Sequence, residues 1–190
     1  MRKLSISISP AMFVLLLSMI ATIPLSKLLA CFIAAAIHEA GHILAARILH
    51  INLTHMRLDV LGARLHTTGR LCSYSAMVGL CFAGPFINFA CFTFLLPFCR
   101  QTHFLKEICF ASLSFGVLNL IPIQGFDGGR MVQAALCHFF SESSAEKICS
   151  VFSFLSLFFM WMLSVWMLLK TGTTLTLFVF SCYLFGMLFV

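Results

Sequence analysis

Residues 38–42 read His-Glu-Ala-Gly-His, inside the otherwise apolar run AAAIHEAGHILAARIL (34–49). Side chains four apart share one face of a helix. His38 and His42 are therefore spaced to bind one metal ion, and Glu39 projects beside them, where it can hold and deprotonate a water. Ionisable groups in a membrane-like segment are costly to bury and mark function by default. A catalytic zinc site takes three protein ligands and keeps one position open. The chain has six acidic residues. Glu107, Glu142 and Glu146 fall near the ends of apolar runs and Asp59 lies in a basic loop, which leaves Asp127, in NLIPIQGFDGGR (119–130). PIQG (122–125) should break a helix just before it, and Pro122 with the glycines at 125, 128 and 129 frees backbone groups that need partners. Irregular backbone survives at membrane depth only where protein or a wet cavity surrounds it. The other reading of Asp-Gly-Gly is an ordinary polar turn where the chain surfaces.

The elements that must carry these residues are apolar. The chain of 190 residues is 61% hydrophobic and 9% charged, with a mean hydropathy of +1.05 and 22 phenylalanines. Soluble domains carry about 25% charged residues, so this is an all-α polytopic membrane protein. Runs of about 20 apolar residues predict about six transmembrane helices in a single domain over 1–190. The spans fall near 10–26, 28–49, 73–98, 104–140 with a break at 122–125, 148–169 and 173–190. Spans two to four, about 28–140, form a three-helix catalytic core, and the others are accessory. SESSAEK (141–147) reads as a short polar loop. Residues 51–68 partly alternate apolar and polar around Gly62. They read either as a small membrane-associated β-hairpin or as an irregular amphipathic loop.

The net charge of +6 is spread singly at span ends, with no basic patch, so nucleic acid is not an expected partner. With the N-terminus inside, seven cations (Arg2, Lys3, Arg47, Arg57, Arg64, Arg70, Lys147) lie on the cytoplasmic side and four (Lys27, Arg100, Lys106, Lys170) lie opposite. That bias favours cytoplasmic N- and C-termini. Arg2, Lys3 and LLAC (28–31) imitate a signal peptide and a lipoprotein box. The apolar run continues past Cys31, so the segment is kept as the first span. Nine cysteines without a C-x-x-C pair read as small packing residues rather than a disulfide framework.

HEAGH followed by NLIPIQGFDGG resembles the site-2 protease family of intramembrane zinc metalloproteases. AGPFIN (83–88) resembles that family's small-G-P-x-x-N element, and all three motifs stand in family order over about 38–130. The resemblance implies one Zn²⁺ per chain held by His38, His42 and Asp127, with Glu39 as the catalytic base. It also implies substrate- or site-supporting positions at Asn119, Pro122, Gly84, Pro85 and Asn88. Asn119 would orient substrate or a water, or else cap backbone freed at the break. The chain lacks room for an inter-span PDZ domain and shows no nucleotide-sensing CBS domain. It looks most like a minimal member of the stage IV sporulation protein FB branch.

The expected activity is cleavage of a membrane-tethered protein within or near its transmembrane segment, in a bacterial cytoplasmic-type membrane. A pro-sigma factor, an anti-sigma factor and a signal-peptide remnant are candidate substrates, and an inhibitory membrane partner is compatible with such a role. The substrate strand would add to the hairpin at 51–68. The alternative is a zinc transporter or metal-binding membrane protein, which should show further polar residues along a path and leaves Glu39 unexplained. An inactive relative would normally lose a ligand or the glutamate, and a prenyl-protein peptidase would take a glutamate as its third ligand.

Overall fold

The structure is a computed structural model that describes residues 5–8, 20, 23–51, 53–59, 62–67, 73–171 and 175–188. The first predicted span, 10–26, lies outside these residues except for Ile20 and 23–26, and the accessory role given to it is an expectation. The described elements are β1 (Ser5–Ile8), α1 (Leu25–Ile48), β2 (Leu53–Asp59), β3 (Gly62–Thr67), α2 (Tyr74–Leu95), a 3₁₀ turn (Leu96–Phe98), α3 (His103–Leu120), α4 (Asp127–Leu136), α5 (Glu142–Thr171) and α6 (Leu175–Leu188).

Helices dominate, as the composition predicts. Among the described residues, three are long and apolar enough to cross a membrane: Leu25–Ile48, Tyr74–Phe98 and Glu142–Lys170. Helix α3 carries His103, Lys106 and Glu107 in its first turns and stops at Leu120, and the described α6 has 14 residues. Large apolar side chains point outward. Phe94, Phe159 and Leu169 keep 72%, 70% and 83% of their area exposed, which suits lipid and not water.

Helices α1, α2 and α3 pack against one another along small residues. The buried stripe of α1 steps by four through Ala30, Ala34, His38, His42 and Ala46. Helix α3 offers Ser112 and Gly116, and α2 offers Gly84, Pro85 and Asn88. Lipid gives no hydrophobic drive between helices, so close backbone approach and buried polar contacts must hold them.

Residues 51–68 contain a hairpin. Strands β2 and β3 pair antiparallel in a register that sets Arg57 opposite Arg64 and Asp59 opposite Gly62. The sequence reading missed β1, which pairs parallel with β2 and completes a sheet of order β1-β2-β3. Its SISI alternates with period two, but four residues are too few to signal a strand alone.

The predicted polar loop at 141–147 is a correction. Only Ser141 stays outside helix, because its Oγ accepts from Ser144 N (3.4 Å) and so caps α5 one residue later. Glu142 in the first turn suits the helix dipole.

The accessory helices do more than fill lipid. Ile123 and Phe126, in the break between α3 and α4, form one apolar cluster with Leu157 and Met160 of α5 and Leu184 of α6. The Ser153 hydroxyl accepts from Gln124 N (2.8 Å) and donates to Cys149 O (2.8 Å). Gln124 Nε2 donates to Ser150 Oγ (3.1 Å). Backbone groups freed by the break thus find partners on α5. We expect Ser153→Ala to cost about 1–3 kcal/mol, the usual penalty for stranding a buried donor. A lower thermal midpoint in detergent, with weaker zinc binding as Asp127 loosens, is the check.

Candidate metal centre

Two helices bring the ligand set together. His38 and His42 lie one turn apart on α1, and Asp127 opens α4, immediately after the break. All three are buried, with 5%, 5% and 8% of their area exposed. His38 Nε2 lies 2.9 Å from Asp127 Oδ2, His42 Nε2 lies 3.1 Å from the same oxygen, and the two Nε2 atoms are 3.1 Å apart. Among the described residues this is the one group of metal-ligating side chains close enough to share an ion.

The donor set fits Zn²⁺. Bonds of about 2.0–2.1 Å at tetrahedral angles place ligand atoms about 3.3 Å apart. The observed triangle of 2.9, 3.1 and 3.1 Å needs to open by only a few tenths of an ångström. Two imidazoles and one carboxylate are also the ligand chemistry of hydrolytic zinc sites. Glu39 is half-buried beside His38.

The ordinary-turn reading of Asp-Gly-Gly does not hold, because Asp127, Gly128 and Gly129 are buried and helical. The two glycines are required by space. A Cβ at Gly128 would strike Leu120 O, and one at Gly129 would strike Ile123 O. Without side chains, the start of α4 folds back against the end of α3 and swings Asp127 toward α1.

Helix α2 supplies the floor under the imidazoles. A Cβ on Gly84 would collide with His42 Nε2, come within 2.6 Å of His42 Cε1 and within 2.8 Å of His38 Cε1. Four residues away on either side, Leu80 O lies 2.9 Å from His42 Nδ1 and the Asn88 amide lies 3.2 Å from His38 Nδ1. Pro85, inside α2 and buried, has no N–H to give the Cys81 carbonyl. The sequence gives Gly84 and Asn88 away as motif positions. Leu80 works through its carbonyl, and no side-chain signal marks it.

The other expected supporting residues sit farther out. Asn119 Nδ2 donates to Phe115 O (3.0 Å), one turn back on its own helix. Pro122 contributes the turn and its carbonyl, 3.5 Å from Ser153 Oγ. Glu107 stays away from the centre and meets His103 Nδ1 (3.2 Å) and Ser26 Oγ (3.2 Å).

Comparisons with known proteins agree with this arrangement. The sequence profile of Peptidase family M50 matches residues 96–163, a stretch that includes Asn119, Pro122 and Asp127. No curated protein sequence matches the chain. The structure is similar to that of the site-2 protease from Methanocaldococcus jannaschii, with a TM-score of 0.69 at 19% identity, over 95% of this chain and 87% of that one. The chain thus shares the fold of that site-2 protease and carries a Peptidase family M50 match across the segment that holds Asp127.

Proposed function

We propose that the protein is an intramembrane zinc metalloendopeptidase that cleaves a membrane-tethered protein within or near its transmembrane segment. The buried triangle of His38, His42 and Asp127, carried on apolar helices with Glu39 beside it, is the observation behind this reading. Zn²⁺ bound there would act as a Lewis acid and acidify a water. The chain's own residues do the rest. Leu80 O accepts the Nδ1 proton of His42, which leaves its Nε2 lone pair toward the centre. Glu39 takes the proton of the attacking water and returns it to the leaving amine. A helical substrate must unwind before its peptide bonds are reachable. The outer edge of β3, which has no strand partner among the described residues, offers an extended segment a place to pair.

The cation count supports cytoplasmic termini, and the sporulation-type resemblance supports a bacterial cytoplasmic-type membrane. A membrane-tethered pro-sigma or anti-sigma factor, or a signal-peptide remnant, is the substrate class that suits a minimal, sporulation-type member. Transport is the weaker reading, because among the described residues one group of side chains can share an ion and no second such group continues a path.

Membrane proteomics of the native host tests the proposal, with wild type compared to Glu39→Gln. Accumulation of a full-length single-span protein in the variant is the expected result and identifies the substrate. No accumulation, together with a shift in cellular zinc, would favour transport.

A further inference from the structure

The chemistry of His38 sets a condition that one neighbour can meet. This inference rests on the zinc reading above. A neutral imidazole carries one proton, and a nitrogen that binds a metal must present a lone pair. If His38 Nε2 faces the metal beside Asp127, its proton sits on Nδ1 and needs an acceptor. Among the described residues, the one group bonded to His38 Nδ1 is the amide of Asn88. That amide is wholly enclosed, with 0% of its area exposed. The nearer of its two ends is Nδ2, at 3.2 Å, whereas Oδ1 is buried with no hydrogen-bond partner. A half-turn about the Cβ–Cγ bond exchanges the two ends in the same volume. Because Oδ1 makes no hydrogen bond where it sits, turning it toward His38 breaks none at that end.

We propose that Asn88 is a positioning residue that presents Oδ1 to the His38 Nδ1–H and so selects the tautomer whose Nε2 binds the metal. His42 already shows the same arrangement, with Leu80 O at its Nδ1. Leu80, Gly84 and Asn88 are spaced by four along the buried face of α2. One face of one helix therefore carries an acceptor for each imidazole and a gap for the two rings between them. A side chain with an acceptor oxygen at position 88 is sufficient for this role, and an amide N–H is unnecessary.

The test is zinc affinity of the purified full-length chain in detergent, measured by competition with a chromophoric chelator, for wild type, Asn88→Asp and Asn88→Leu. Aspartate keeps an acceptor of the same shape and loses the donor. Leucine keeps the volume and loses both. Asn88→Leu should weaken zinc binding about 10–100-fold, the usual effect of removing a partner of a metal-bound histidine. Asn88→Asp should stay within a few-fold of wild type. Thermal midpoints of the metal-free proteins separate packing from positioning, because a structural role would lower both variants together and leave zinc affinity tracking that loss. Equal loss of zinc in both variants, or wild-type affinity in Asn88→Leu, overturns the proposal. Absence of zinc binding in wild type itself would instead remove the metallopeptidase reading.

Discussion

Gly84→Ala is expected to abolish tight zinc binding, although it adds a single methyl group. The added Cβ would occupy the space of His42 Nε2 and press on the Cε1 atoms of both imidazoles. Both rings are tethered to the same face of α2 that carries Gly84, since His42 Nδ1 is bonded to Leu80 O and His38 Nδ1 meets Asn88. Moving away from the added methyl would pull them off those partners. One of the two Nε2 atoms must leave the triangle, so the effect should exceed the 10–100-fold that loss of a supporting residue costs. Gly79→Ala is the control on the same helix, because a Cβ there meets nothing within 4 Å. Chelator competition on both variants reads the difference. Zinc affinity in Gly84→Ala equal to that in Gly79→Ala would mean that the imidazoles do not rest on α2.

The second large effect separates the roles of the two carboxylates. Asp127→Ala should lose both metal and peptide hydrolysis, since it removes one corner of the ligand triangle. Glu39→Gln should keep one zinc per chain and lose turnover by about 10²–10⁴-fold, the usual contribution of a positioned general base. Glutamine preserves the size of the side chain and cannot accept the proton. Metal content and cleavage of a reconstituted single-span substrate, measured on the same preparations, give the comparison. Equal zinc loss in both variants would make Glu39 a ligand and remove its role as base.

Much of this site was legible before any coordinates. His38 and His42 are separated by one helical turn, so local geometry alone places them together. Asp127 lies 85 residues beyond His42, and elimination among six acids located it because charge is scarce in this chain. What stayed hidden was of two kinds. Leu80 contributes a backbone carbonyl, which every residue has, so its type carries no information. Ser150 and Ser153 lie in a helix that reads as a plain apolar span, and their task appears only when α5 is laid against the break. The strand β1 was missed for a related reason, as its pairing partner lies some 50 residues away along the chain. The helix boundary at Glu142 was misjudged because a run of polar residues looks the same in a loop and in a capped first turn.

The triangle at the centre also has a mechanical meaning. A metal ion held by His42 and Asp127 would bridge two points 85 residues apart and so act as a clip between the beginning and the end of the core. Binding that requires the folded arrangement adds its free energy to folding. With free zinc at about a thousand times the dissociation constant, that addition is about 4 kcal/mol. The same coupling runs backward. A force that pulled α5 off the break would loosen the segment that leads into Asp127 and so weaken the hold on an ion there.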